Sequence, residues 1–178
     1  MRALCVALIA SLFTAAPALK ADDATENAIL EAIEGQLPAA ERLLEKAVTI
    51  NSGTLNFDGV KKVGALFGAE LKAIGFETEW VDGSAFGRAG HLVASFGNKG
   101  PKILMIGHLD TVFAMDDTFQ AFTPLEGGKI AGPGITDMKG GDVIIIEVVR
   151  ALKAAGVLDG VSIRIVMTGD EEASGKPL

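Results

Sequence analysis

The chain has 178 residues, 49% of them apolar, a formal net charge of −7 and no tyrosine. That length holds one domain with a core of its own, and the acidic balance excludes nucleic acid and anionic membrane surfaces as partners. Met1-Arg2 and the apolar run Ala3 to Thr14 read as a signal peptide spanning residues 1–21. Cleavage after Ala18 or Ala21 follows from the small residues there, and the run is too short to span a bilayer comfortably. The expected product is exported, periplasmic or secreted, and free of the membrane once cleaved. Cys5 is the only cysteine and lies inside the leader, which excludes disulfides, thiolate zinc sites and a cysteine nucleophile from the mature chain.

After the leader, Asp22 to Glu34 and Pro38 to Ile50 read as two helices, with Pro38 suited to a first helical turn. Asn51-Ser52-Gly53-Thr54 breaks the pattern. Phe57, Val60, Val63, Phe67, Leu71 and Ile74 recur at three- and four-residue steps, an amphipathic helix ended by Gly75 and packed on a sheet. Phe76 to Val81 and His91 to Phe96 alternate as strands, with His91 read as a strand-edge histidine rather than a ligand. Ile103 to Ile106 is an unbroken apolar run between Pro101 and Gly107, typical of a parallel-sheet strand buried on both faces. Val112 to Pro124 has no clean period and reads as a loop whose phenylalanines cover the core edge.

The glycine-rich stretch Gly132 to Gly141 calls for a tight turn. It satisfies neither a dinucleotide fingerprint, since Asp137 stands where the last glycine belongs, nor a Walker phosphate loop. Asp142 to Ala155 reads as a buried helix and Val161 to Met167 as a strand running into Gly169-Asp170-Glu171-Glu172. A strand, helix and strand so connected make a right-handed parallel crossover. His108, Asp110, Asp137, Glu171 and Glu172 then leave one edge of one sheet, where ligands bind in open α/β folds. Four carboxylates around one imidazole repel one another unless a cation neutralises them. The competing account of the acidic triplet is a solvated helix start, which explains the triplet but not its partners at the same edge.

Three segments carry a family resemblance: Ile106-Gly107-His108-Leu109-Asp110-Thr111-Val112, Gly132 to Gly141, and Gly169-Asp170-Glu171-Glu172. In order and spacing they resemble the zinc-dependent carboxypeptidase and aminoacylase family, with the carboxypeptidase G type as the nearest group. The resemblance implies an α/β fold with a mostly parallel sheet and helices on both faces, residues 22–178 forming the N-terminal part of a di-zinc catalytic domain. It implies that His108 binds one zinc, Glu172 the other, and Asp137 bridges both, with Co2+ or Mn2+ as substitutes. Asp110 would orient His108, and Glu171 would be the general base in hydrolysis of an amide bond next to a free carboxylate. Small peptides or N-acyl amino acids are the implied substrates. The bond Asp137–Met138 is expected to be cis. The family pattern continues with a further carboxylate ligand, a distant histidine ligand and an inserted domain for dimerisation, so a fragment, inactive alone, of a longer homodimeric enzyme is expected. A non-catalytic α/β binding module that keeps part of the metal site is the alternative.

Overall fold

The computed structural model describes residues 23–173. The expected signal peptide and its cleavage sites lie outside the described residues. Helix α1 (Asp23–Val48) is continuous, where the sequence suggested two helices divided ahead of Pro38. Pro38 forfeits one backbone hydrogen bond inside it. The good helix formers Ala39 and Ala40 follow, and burial of Leu43, Ala47 and Val48 anchors the C-terminal half. Helix α2 (Phe57–Ile74) forms where its periodicity predicts. The Asn56 side chain accepts the Gly59 N–H at its start, and the N–H of Gly75 donates back to Leu71 and Lys72 at its end.

Strands β1 (Glu77–Asp82), β2 (Gly90–Phe96) and β3 (Lys102–His108) follow. The loop after β3 ends in a two-stranded ribbon of β4 (Thr123–Pro124) and β5 (Ile130–Ala131), too short to leave a periodic signal. Helix α3 (Gly140–Ala154) and strand β6 (Ser162–Thr168) complete the described chain. The α/β class is as expected, but the sheet is not mostly parallel, because short connections reverse the chain from β1 to β2 and from β2 to β3. The main sheet has the order β1-β2-β6-β3 and is mixed: β1 with β2 and β2 with β6 are antiparallel, and β3 with β6 is parallel. Only the β3-α3-β6 connection contains a crossover helix long enough to return the chain in parallel.

One core fills the space between helices and sheet. Val63, Phe67 and Leu71 of α2 and Val143, Ile146 and Val149 of α3 meet Leu92 and Ala94 of β2 and Ile163, Ile165 and Met167 of β6. Each of the larger side chains contributes about 1.5–3 kcal/mol by leaving water. The alternation along β6 holds, with Arg164 exposed between buried isoleucines. Strand β3 differs from its reading: Leu104 is 59% and Ile106 64% exposed. Among the described residues β3 has one hydrogen-bonded neighbour and the helices cover only the other face of the sheet. An unbroken apolar run cannot by itself say which faces neighbours will cover.

Candidate metal centre

The parallel register pairs His108 at the end of β3 with Thr168 at the end of β6. Leu109 N–H then donates to the Thr168 carbonyl (2.6 Å), so the chain beyond β3 and the chain beyond β6 leave side by side. A side chain at position 107 would collide with the carboxylate of Asp142, so only glycine lets α3 come this close beneath His108.

Asp110 is the hub. Wholly buried, it receives Thr54 Oγ1–H on Oδ2 (2.7 Å), Glu171 N–H on Oδ1 (3.1 Å) and Glu172 N–H on Oδ2 (3.2 Å). Its Oδ1 also lies 3.4 Å from His108 Nδ1, and its backbone carbonyl 3.1 Å from the same nitrogen. Burial works to raise the Asp110 pKa, but the bonds from His108, Thr54, Glu172 and Glu171 outweigh it and hold the carboxyl below its ordinary value. With Nδ1 engaged on Asp110, His108 turns Nε2 toward Asp137 Oδ1, 2.9 Å away.

His108, Asp137 and Glu172 each offer one ligand atom, and those atoms lie within 4.8 Å of one another. Among the described residues this group can hold a metal ion. Glu171 stands beside it, its Oε2 4.0 Å from His108 Nε2 and its side chain open to solvent. All five residues singled out in the sequence therefore meet at one edge. His91 does not join them: it is buried on β2, where its Nδ1 accepts the Gly169 N–H (3.3 Å). The bond between Asp137 and Met138 is cis, as expected.

Three supporting residues carry no local sequence signal. Thr54 reaches Asp110 across 56 residues. Lys139 is fully buried, and its ammonium donates to the carbonyls of Ala47 (2.9 Å) and Ile50 (2.8 Å), closing the C-terminal end of α1 against the Asp137 turn. Burial lowers the Lys139 pKa to about 8 against the pull of Asp142. Asp142 is also buried, neither of its oxygens is hydrogen-bonded, and burial holds its carboxyl well above the ordinary range. Lys139 stands two residues after Asp137, and nothing local in the sequence foretells its burial.

Burial opposes the charge on His108, but Asp110 and Asp137 outweigh it and raise its pKa to about 9. The sign follows from linkage. A group whose folded pKa lies above its unfolded value of about 6.5 stabilises fully below 6.5 and loses that stabilisation as pH rises through 9. The metal-free chain is expected to weaken across that window, by up to about 3 kcal/mol. Urea midpoints at pH 6 and pH 9 measure it, and the decline should vanish in His108→Gln.

Residues 104–177 match the family described as Peptidase family M20/M25/M40. Over 167 residues, 93% of the chain, the sequence is 33% identical to Carboxypeptidase G2 of Pseudomonas sp. (strain RS-16). A succinyl-diaminopimelate desuccinylase of Gluconobacter oxydans (strain 621H) is 35% identical over 113 residues, covering 61% of this chain and 29% of its own length. Human carnosine dipeptidase 1 has the same fold, with a TM-score of 0.75 and 22% identity over 88% of this chain and 37% of its own. The matched segment contains His108, Asp110, Asp137, Glu171 and Glu172. The chain spans 40% of the length of Carboxypeptidase G2. Among the described residues no helix is long and apolar enough to cross a membrane.

Proposed function

We propose that this protein is an exported di-zinc amidohydrolase that cleaves an amide bond next to a free carboxylate, such as that of a C-terminal glutamate or an N-acyl amino acid. The observation that carries this reading is the convergence of His108, Asp137 and Glu172 around one point, with Asp110 fixing the imidazole. An imidazole and carboxylates without thiolates suit zinc, with Co2+ or Mn2+ as substitutes. In this reading His108, Asp137 and Glu172 would hold the ions, His108 one, Glu172 the other and Asp137 both. When bound, the metal supplies a Lewis acid for the scissile carbonyl and makes water ionisable near neutral pH.

Glu171 is open to solvent beside the metal group, its Oε2 4.0 Å from His108 Nε2, a position from which it would serve as the base. It takes the proton from the attacking water as the new C–O bond forms, and passes that proton to the leaving amine as the C–N bond breaks. Asp110 keeps the His108 ring in one orientation throughout. The proposal extends to a homodimer acting on small peptides or N-acyl amino acids. It also extends to export, with the mature chain starting at Leu19 or Asp22, which the intact mass of protein from the cell envelope tests.

Isothermal titration of the metal-free chain with Zn2+ is the direct experiment. Binding is expected, with His108→Ala weakening it by about two orders of magnitude or more. Chelation should abolish release of free amine from an N-acyl glutamate. Unchanged affinity in His108→Ala overturns the metal reading, and zinc binding without any hydrolysis by the intact protein favours the non-catalytic module.

A further inference from the structure

A cleft of about 680 Å³ opens beside Glu172, between the loop before α2 and the loop after β3. Leu55, Val112 and Met115 line it, and these three are 77%, 68% and 71% exposed. Three large apolar side chains left in water around one concavity cost free energy unless something covers them, and such patches mark binding sites. The polar lining includes Asp116 and Glu172, and among the described residues no lysine or arginine lines this cleft or the neighbouring one at Asp137.

The walls are built rather than loose. Gly53 and Thr111 are bridged in parallel: Thr111 N–H donates to the Ser52 carbonyl (2.9 Å) and Thr54 N–H to the Thr111 carbonyl (3.2 Å). Asn51 donates to the carbonyls of Phe113 (3.1 Å) and Ala114 (3.0 Å), tying the second loop to the first. A side chain at Gly53 would strike the Phe113 carbonyl, so the two loops approach this closely only at glycine. Thr54 joins the same wall to Asp110 and hence to the metal group. The cleft thus has a fixed shape in register with the metal site.

We propose that this cleft is a substrate subsite that takes an uncharged, apolar side chain or acyl group. It rests on the metal-site reading above and adds a substrate preference to it. A carboxylate placed here would meet Asp116 with no lysine or arginine among the described lining residues to balance it, so the free carboxylate of the substrate is recognised outside this cleft. An apolar group of leucine size covers Leu55, Val112 and Met115 and removes both partners' surfaces from water.

Hydroxamates, which chelate metal through a common head, separate the two readings. Affinities for the zinc-loaded chain are measured by calorimetry with acetohydroxamate, 4-methylpentanohydroxamate and the hydroxamate of succinic acid. The 4-methylpentano compound is expected to bind about ten-fold or more tightly than acetohydroxamate, and the succinic compound no more tightly than acetohydroxamate. Met115→Ser and Val112→Ser should each narrow the ratio between the apolar and acetyl compounds, which a merely structural role would not do. Equal affinities for the acetyl and 4-methylpentano compounds, or preference for the succinic one, overturn the subsite while leaving the metal site standing. Absence of zinc binding itself overturns the metal reading, and the subsite with it.

Discussion

Asp110→Ala is expected to destabilise the metal-free chain by about 3–5 kcal/mol, a large share of the stability of a domain this size. The substitution removes a buried acceptor and leaves the Thr54 hydroxyl, the N–H groups of Glu171 and Glu172 and the His108 ring facing an empty space. Each buried donor left unpaired costs about 1–3 kcal/mol, and His108 also loses the carboxylate that balances its charge. Asp110→Asn keeps the shape and one acceptor oxygen but not the charge, so its loss should be smaller. Thr54→Val removes a single bond and should cost about 1 kcal/mol. Urea unfolding of the three variants orders them. A loss under about 1 kcal/mol for Asp110→Ala would show that water replaces the carboxylate without penalty and that Asp110 is no hub.

The second large effect separates two adjacent residues. In the reading proposed here Glu172 is a ligand and Glu171 the base, so the same change at each should fail differently. Glu171→Gln keeps the shape but loses the proton acceptor. In the intact, zinc-loaded protein it should retain metal and lose about two to four orders of magnitude in turnover. Glu172→Gln should lower metal affinity, and excess zinc should partly restore its rate. Burial, together with Asp137, Asp110 and Glu171, raises the pKa of Glu172 against the opposing pull of His108, the pattern of a carboxylate crowded among others where a cation belongs. Metal content and turnover on the same preparations decide. Zinc loss in Glu171→Gln with full occupancy in Glu172→Gln would reverse the assignments, and two silent variants would reduce the pair to a solvated turn.

Helix α2 and strand β6 were legible residue by residue, because a period of 3.6 or 2 records directly which side chains enter a core. The convergence of five polar residues at one edge was legible for a different reason. His108 and Asp110 follow one strand, Asp137 precedes the crossover helix, and Glu171 and Glu172 follow the strand that helix feeds. The handedness of a parallel crossover brings those three chain segments to one edge, so local pattern and a topological rule sufficed.

Tertiary structure decided what local pattern does not encode. The break expected ahead of Pro38 did not end α1, because packing of Leu43, Ala47 and Val48 outweighs one missing hydrogen bond. The apolar run of β3 predicted burial on both faces, but Leu104 and Ile106 are exposed, since coverage depends on what lies alongside a strand and not on the strand itself. Thr54 on Asp110 and Lys139 on the end of α1 span 56 and about 90 residues, and neither contact leaves a periodic trace. A sequence by itself determines which residues are apolar, charged or able to bind metal, and the elements their spacing favours. Which buried polar groups meet is set only when the chain closes, because a buried donor or acceptor takes whatever partner the packed elements bring within hydrogen-bonding reach.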